Sequence, residues 1–337
     1  MMIRKGILLP GTEIVGHSDG TDTTAEIQPD GQLKLRTGEI FRKPDDAAYG
    51  RTPGGPTRRL EGAQVDRLNL GPIGAALYVS PNYLDEAAEL ESLGYSAIWL
   101  PGGQIDDLSR LVEVTRATTT VPVASAVVSL DVYPPGEVAA LAGRLQADMP
   151  GRFVLGLGGP QNRRPLQAVN DYLDHLDNAE PPVPAARRLL AALGPRKLEL
   201  ARDRAAGAIM LLVTPEHTAA ARRILGDGAA LVIDQMVVPD TDAIRARRAA
   251  RRPLQFLSGL PGYRASFARM GFTDADMDGL SDTLVDQLVI WGDTKAIAAR
   301  VTEHLRAGAD HVILHTLNEG SGAGPMDVAR RLARLLG

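Results

Sequence analysis

The fold is decided by residues 73–100, IGAALYVSPNYLDEAAELESLGYSAIWL, which contain one complete strand–helix–strand unit. Residues 73–79 form a continuous apolar run, as expected for a strand buried on both faces. Residues 83–93 follow with apolar side chains at helical spacing, and Gly94 can adopt the positive φ that commonly ends a helix. Residues 97–100 form the next apolar run, so the unit predicts two parallel strands joined by a helix.

The same alternation continues to the end of the chain. Further strands are predicted at residues 121–128, 153–157, 208–213, 231–238, 288–291 and 311–317. Helices are predicted between them, with insertions at residues 166–176, 185–193 and 196–205 after the fourth strand and at residues 242–287 after the sixth. Eight strand–helix units without a reversal favour an α/β fold, a (β/α)8 TIM barrel with insertions, over an open sheet.

The residues before the barrel have a different pattern. Residues 23–27 and 32–36 are predicted strands that flank the turn sequence Gln28-Pro29-Asp30-Gly31, and residues 40–41 give a third short strand. Residues 49–59 are rich in Gly and Pro, as in a linker. The prediction is therefore a small β-hairpin module and linker at residues 1–60, followed by the barrel at residues 61–337.

One short motif in this module suggests a different chemistry. Gly16-His17-Ser18-Asp19-Gly20 matches the G-x-S-x-G motif of serine hydrolases, which requires a strand before the serine and a helix after it. Because residues 21–27 are predicted to form a strand, Ser18 is expected in a hairpin turn.

Composition excludes several classes of function. The chain has 337 residues with 37 Lys and Arg against 41 Asp and Glu, a net charge of −4, and no cysteine. Nucleic-acid or membrane-surface binding is disfavoured because it requires a basic excess. Disulfides, thiolate metal sites and a cysteine nucleophile are excluded, so redox chemistry would need an organic cofactor. No long apolar segment or signal peptide is evident, and a cytoplasmic location is expected.

The histidines do not predict a metal site. His311 and His315 face the same side of one predicted strand, but a spacing of four residues places them about 13 Å apart, too far to share a metal. His175 and His304 lie among charged residues and are predicted to be in solvent. His217 follows a strand in Thr214-Pro215-Glu216-His217, where Pro and Glu are ordinary residues of a helix start and a ligand contact by Thr214 or His217 is the sharper hypothesis.

In a (β/α)8 barrel, functional groups lie at the C-terminal ends of the strands. The most glycine-rich of these ends is Gly156-Leu157-Gly158-Gly159-Pro160-Gln161, where bare backbone allows a ligand to approach closely or simply makes a tight turn. It is not a dinucleotide-binding motif, because Gln161 stands where the third glycine would be.

Several runs together resemble the bacterial luciferase-like superfamily, in particular its branch predicted to use the deazaflavin F420. They include YSAIW at 95–99, VPVA at 121–124, PGRFVLGLG at 150–158, VTPEHT at 213–218, MGFTD at 270–274, LVIWGD at 288–293 and AGADHV at 307–312. The resemblance covers about residues 70–317. It implies an F420-dependent oxidoreductase that transfers hydride between the cofactor and an unknown organic substrate.

The resemblance also implies where the cofactor lies. A non-prolyl cis peptide at Ala126-Val127 would support the ring, and Ser129 would contact a ring edge or phosphate. The other implied cofactor-binding residues, at the ends of further strands, are Pro101, Gly102, Gly156, Gly158, Gly159, Thr214 and His217. No catalytic residue is assigned.

Two departures from the family pattern leave alternatives open. The loops after the second and fourth strands are short and offer no obvious acid or base; they are Leu100-Pro101-Gly102-Gly103-Gln104 and Gln161-Asn162-Arg163-Arg164. An FMN-dependent monooxygenase on the same barrel, and a barrel without catalysis that serves as a binding or regulatory scaffold, therefore remain alternatives. A small-molecule substrate is the expected partner, and a homodimer is compatible with the sequence.

The N-terminal module has a second, weaker resemblance. The module resembles the small domain associated with restriction enzymes and adenine methylases. The resemblance lies in Leu9-Pro10-Gly11-Thr12, the turn at 28–32 and residues 41–48. A β-rich extension of the barrel is the alternative.

Overall fold

A computed structural model divides the chain into two compact units, Met1–Gln64 and Val65–Gly337. It describes the backbone of four strands between residues 13 and 41, and then residues 68–159, 165–317 and 324–336, with side chains up to residue 334. The predicted turn at residues 28–31, the linker at residues 49–59 and most of the loop after the fourth barrel strand lie outside the described residues.

The N-terminal unit contains an antiparallel sheet in the order β1-β2-β3-β4. Its strands are β1 (Glu13–Ser18), β2 (Thr21–Ile27), β3 (Leu33–Leu35) and β4 (Ile40–Phe41). Ser18 ends β1 and pairs with Thr21, the first residue of β2. The chain therefore passes from strand to strand at the serine hydrolase motif, as predicted, and the helix that a nucleophile elbow requires is absent from this described hairpin.

The second unit is a closed barrel of eight parallel strands, which confirms the predicted fold. The barrel strands are β5 (Ile73–Ala76), β6 (Ile98–Pro101), β7 (Val123–Ala126), β9 (Phe153–Gly158), β10 (Arg188–Ala191), β11 (Gly207–Leu211), β12 (Ala230–Val238) and β14 (His311–Thr316). Two short strands, β8 (Val128–Ser129) and β13 (Ile290–Trp291), extend it. Pairing of β14 with β5 and of β9 with β10 closes the circle.

Helices surround the barrel and form its insertions. They are α1 (Tyr83–Ser92), α2 (Ser109–Ala117), α3 (Pro135–Asp148), α4 (Pro165–Asp177), α5 (Pro195–Arg204), α6 (Pro215–Leu225), α7 (Ala243–Leu257), α8 (Pro261–Arg269), α9 (Asp274–Gly279), α10 (Asp282–Leu288), α11 (Thr294–Arg306) and α12 (Pro325–Leu336). None of the helices in the described part of the chain is long and apolar enough to cross a membrane.

Two of the predicted barrel elements were wrong. Residues 185–193, predicted to be helical, contain the fifth strand β10, which pairs with both β9 and β11. Its Leu- and Ala-rich sequence has high helix propensity, and the pairing with two neighbours overrides that preference. Residues 288–291 do not form a barrel strand, because Leu288 ends α10 and only Ile290 and Trp291 pair with the end of β12.

Successive side chains of each barrel strand point alternately into the barrel and out toward the helices, so there are two separate apolar regions. Inward-facing residues such as Trp99, Val232 and Ile313 form a cluster inside the barrel, whereas residues such as Ile233 and Leu314 pack between strands and helices. Asp234 and His315 follow the inward positions 232 and 313 by two residues. Their side chains therefore belong to the barrel interior, toward its C-terminal end.

Candidate active site at the barrel mouth

The residues implied at the ends of β6 and β7 lie next to each other. Pro101 is the last residue of β6, is buried and pairs with Ala126. A Cβ atom on Gly102 would lie 2.7 Å from the carbonyl oxygen of Val127, so only glycine fits there without displacement. The Ala126–Val127 peptide bond is cis, as the resemblance implied. These four residues form one packed edge of the mouth.

Packing between strands accounts for both glycines of β9. A Cβ on Gly156 would lie 1.9 Å from the carbonyl oxygen of Ser125, and a Cβ on Gly158 would lie 2.4 Å from the Ala191 Cβ. Both distances are far below van der Waals contact. Glycine is therefore required at these positions whether or not a ligand binds, and their contact with a cofactor stays a prediction.

Gly159 differs from these two glycines because the described atoms leave space beside it. It has a φ of +86°, and among the described atoms a Cβ there would meet only the Ser129 hydroxyl, at 3.6 Å. On the same side of the mouth, Lys197 in the first turn of α5 is half-buried. Burial lowers the pKa of its ammonium, and the nearby charge of Asp131 acts in the opposite direction. This edge offers open backbone, a hydroxyl and a cation to a ligand.

Thr214 and His217 lie together at the start of α6, which follows the sixth barrel strand. The Thr214 hydroxyl accepts a hydrogen bond from the His217 amide at 3.3 Å and caps the helix. Leu212, just before the cap, has a φ of +57° in the left-handed region, a conformation that costs about 1–3 kcal/mol. Burial lowers the pKa of the His217 imidazole and nearby Arg269 lowers it further, while a hydrogen bond to the Leu193 carbonyl opposes both.

A cavity of about 790 Å³ opens beside the start of α6. Charged and polar groups of its lining include Thr214, Glu216, His217, Arg269, Arg300 and Glu303. The helix N-terminus and the Arg269 guanidinium favour an anionic group on a ligand, whereas the Arg300 guanidinium is paired with Glu303 at 3.0 Å. The Glu216 carboxylate accepts hydrogen bonds from its own amide and from the Thr214 hydroxyl, which lower its pKa. An anionic ligand at this helix terminus must therefore compete with Glu216.

The residues of the mouth fit the cofactors that the resemblance implies. F420 and FMN each carry a phosphate group, which Arg269 of the α6 cavity can balance. The cavity volume, about 790 Å³, lies within the usual range for small-molecule sites. The predicted residues thus form two groups, one at the ends of β6, β7 and β9 and the other at the start of α6.

A third cluster in the mouth was not predicted as a site. Asp234 on β12 and His315 on β14 are both buried, and Nδ1 of the imidazole lies 3.0 Å from Oδ1 of the carboxylate. The ring of Tyr78 meets the imidazole edge to face, with 5.7 Å between the ring centres. Burial raises the pKa of the Tyr78 hydroxyl, and the charge of Asp234 raises it further. The signal in the sequence was an acidic residue at an inward-facing position of β12, whose other inward-facing residues are apolar.

The prediction for His304 was wrong. Its side chain is fully buried between α6, α11 and β12, with Nδ1 2.9 Å from the Thr218 hydroxyl and Nε2 2.9 Å from the Gln235 side-chain oxygen. Burial lowers its pKa to about 3. The spacing from Ile297 and Val301 places His304 on the buried face of α11, which the charged neighbours obscure. His175, in contrast, is exposed as predicted.

His311 lies at the opposite, N-terminal end of the barrel interior. Its Nε2 accepts a hydrogen bond of 2.9 Å from the indole of Trp99, and its Nδ1 lies 2.7 Å from the Gly71 carbonyl oxygen. Burial lowers its pKa to about 4. The described residues contain no group of three or more His, Asp or Glu side chains that could hold a metal.

Comparison with known proteins places the barrel in a structural class. No protein-family model matches the chain, and no curated protein matches it. Solved structures do match, and they define a class of (β/α)8 barrels that contains F420-dependent oxidoreductases and flavin monooxygenases. This agrees with the luciferase-like fold that the sequence indicated.

Three of these structures show the extent of the similarity. An F420-dependent secondary alcohol dehydrogenase in complex with an F420–acetone adduct has 13% identity and a TM-score of 0.59, with 78% of this chain and 98% of that chain covered. The F420-dependent tetrahydromethanopterin reductase from Methanopyrus kandleri has 14% identity and a TM-score of 0.57, with 79% and 98% covered. The oxygenating constituent of 3,6-diketocamphane monooxygenase from Pseudomonas putida, in complex with FMN, has 12% identity and a TM-score of 0.55, with 78% and 97% covered. At these identities the similarity establishes the fold.

Proposed function

We propose that the barrel is an F420-dependent oxidoreductase of the luciferase-like superfamily, which transfers hydride between the deazaflavin and a small organic substrate. The observation that carries this proposal is the cavity of about 790 Å³ beside α6, because Thr214 and His217, two residues implied to contact the cofactor, both line it. Arg269 lies on the same lining and can balance a phosphate.

The other residues at the mouth have defined tasks in this proposal. Ser129 and the open backbone at Gly159 contact the cofactor at the end of β9, where a Cβ would meet little besides the serine hydroxyl. Pro101, Gly102 and the Ala126-Val127 unit form the wall on which the ring rests. A bound deazaflavin supplies the two-electron chemistry that a chain without cysteine lacks, and the protein supplies position and the exclusion of water.

The test is a titration of the purified full chain with F420 and, separately, with FMN, followed by absorbance and fluorescence. We expect saturable binding of F420 at micromolar concentration. Arg269→Gln should weaken it by about 10-fold, because a charge-assisted contact to phosphate is lost. The matched control is Arg248→Gln on the exposed face of α7, away from the cavity, which should leave the affinity unchanged.

Two alternatives appear as other outcomes of the same titration. Binding of FMN in place of F420 would favour a flavin monooxygenase, the reaction class of the FMN complex with this fold. Binding of neither cofactor would favour the scaffold hypothesis and would refute the proposed function. The homodimer and the cytoplasmic location stay predictions.

A further inference from the structure

Two side chains that line the cavity beside α6 bind the same backbone oxygen. The guanidinium of Arg269, at the end of α8, donates a hydrogen bond of 2.9 Å from Nη2 to the Leu193 carbonyl oxygen. The imidazole of His217 donates a second hydrogen bond to this oxygen. Both side chains belong to the lining of the cavity, whereas Leu193 lies behind them in the turn before α5. One carbonyl group therefore holds a permanent cation and a titratable ring side by side at the cavity wall.

The hydrogen bond to Leu193 determines what a neutral imidazole offers to a ligand. A carbonyl oxygen can only accept, so one ring nitrogen of His217 must carry the hydrogen. The second nitrogen then has a lone pair, and the shape of the ring directs it away from Leu193. This nitrogen has no hydrogen-bond partner among the residues that the structure describes. A neutral His217 therefore presents an acceptor, and not a donor, to a ligand in the cavity.

A fully ionised oxyanion does not suit this neutral form. Its oxygens are acceptors only, so the lone pair of the imidazole repels them. Protonation turns the ring nitrogen into a donor of a charge-assisted hydrogen bond. Without an anion the added charge is unfavourable, because burial lowers the pKa of His217 and the charge of Arg269 lowers it further. An anion next to both cations removes this repulsion, so the anion and the proton each favour the binding of the other.

The other charged groups around the cavity do not titrate in its place. They lie on the elements that surround the ring, and they are Arg196 and Lys197 on α5, Glu216 on α6, and Arg300 and Glu303 on α11. The first two are not among the lining residues, and the last two pair with each other at 3.0 Å. Glu216 stays ionised at neutral pH, because hydrogen bonds lower the pKa of its carboxyl. Among the described lining residues, His217 is therefore the group whose charge can change near neutral pH.

We propose that His217 binds the anionic group of the ligand as an imidazolium, so that the cavity takes up one proton with each oxyanion and releases both when the pH rises. The proton comes from the solvent, and no covalent bond of the ligand changes. The identification of the oxyanion with the phosphate of F420 rests on the proposed function, whereas the oxyanion site rests on the geometry of His217, Arg269 and Leu193. Affinity therefore rises as the pH falls through the pKa of His217 in the complex, and it becomes constant below the pKa in the free protein.

The first arm of the test uses inorganic sulfate, which stays a dianion near neutral pH and has no proton to donate. Calorimetric titration of the full chain, in buffers with different enthalpies of protonation, measures how many protons enter with each sulfate. We expect an uptake that approaches one proton. The affinity should fall by roughly 10-fold between about pH 6 and pH 8, as for a shift of about one unit in pKa. Sulfate binding without proton uptake, or no sulfate binding, would overturn the proposal.

Substitution of the histidine tests whether the proton enters at this residue. His217→Gln keeps a side-chain donor for the anion and removes the titration, so its sulfate affinity should be nearly independent of pH and the proton uptake should be lost. His175→Gln, which changes an exposed histidine on α4, is the matched control and should retain the uptake of the wild type. Full pH dependence in His217→Gln would contradict the assignment. The wild-type calorimetry stands by itself if the variant does not fold.

The second arm repeats the pH series with F420 and separates this inference from the proposed function. We expect F420 to bind more tightly at the lower pH, with the same proton uptake. A chain that takes up a proton with sulfate but binds F420 equally at both pH values would refute the assignment of the cofactor phosphate to this cavity. A chain that takes up a proton with sulfate but binds neither F420 nor FMN would refute the proposed function and support the oxyanion site.

Discussion

The two ends of the barrel interior contain two histidines of the same strand in opposite situations. His311, at the N-terminal end, has both ring nitrogens within hydrogen-bonding distance of partners, the indole of Trp99 and the carbonyl of Gly71. His315, at the C-terminal end, bonds Asp234 through one nitrogen, and the other has no partner among the described residues. The same residue type on one strand is therefore fully hydrogen-bonded at one end of the barrel interior and retains a free ring nitrogen, among the described residues, at the other. At the N-terminal end both ring nitrogens of His311 have partners, as is usual for a buried polar side chain with a structural role.

Gly74→Ala is expected to disturb the N-terminal end of the barrel interior more than any other change considered. A Cβ there would lie 2.5 Å from Nε2 of His311 and 2.7 Å from the indole nitrogen of Trp99. We expect a loss of about 3 kcal/mol in the free energy of unfolding, measured with urea, because overpacking and a broken buried hydrogen bond add. Gly103→Ala, at the mouth and with open space around the glycine, is the control and should cost under about 1 kcal/mol. Equal losses would refute the distinction between the two ends.

A fall in pH should also destabilise the protein, because His311 is buried at the N-terminal end of the barrel interior. Burial lowers the pKa of the folded imidazole to about 4, below its value of 6.5 in the unfolded chain, so the unfolded state binds the proton first as pH falls. Stability is therefore complete above about pH 6.5 and declines toward pH 4. In His311→Gln, the difference in unfolding free energy between pH 7 and pH 4.5 should shrink by about 2 kcal/mol. An unchanged difference would show that burial of this ring does not control acid stability.

The smallest expected effect concerns the C-terminal end, where ligand binding rather than stability should change. Glu216→Gln removes a carboxylate that competes with an anionic ligand at the start of α6. Affinity for F420 should rise by about two- to five-fold, the value of one charge at a helix terminus. Glu199→Gln on the exposed face of α5 is the control and should not alter the affinity. A weaker affinity in Glu216→Gln would place the carboxylate among the groups that assist binding.

The sequence predicts the architecture more accurately than its individual strands. The alternation of apolar runs with helices yields a barrel of eight strands, because each run must be buried on both faces. It does not identify β10, since Arg188-Leu189-Leu190-Ala191 has the composition of a helix and becomes a strand only through its pairing with β9 and β11. Residues 288–291 show the opposite error. They were predicted to form a barrel strand, but an apolar run of that length also suits the end of a helix.

Local sequence is equally limited in predicting which side chains meet at the candidate site. Thr214 and His217 could be proposed from the sequence, because a cap and a histidine next to a strand end are local features. Asp234 and His315 are 81 residues apart, and their hydrogen bond depends on β12 and β14 being neighbours in the closed barrel. His304 was misjudged because its partners, Thr218 and Gln235, lie on other elements. Local sequence therefore indicates at which end of the barrel a site can be proposed, and closure of the barrel decides which groups meet there.

Two adjacent residues of β12 face opposite sides of the barrel wall. Asp234 points to the mouth, and Gln235 points outward to the buried imidazole of His304. Because a strand has a period of two residues, deletion of one residue earlier in β12 would exchange them. The amide would enter the mouth and the carboxylate would face the helices. The face on which each side chain of this strand lies therefore depends on whether its length changes by an odd or an even number of residues. An even change keeps Asp234 on the inward face but moves it along the strand, away from its pairing with Ile313.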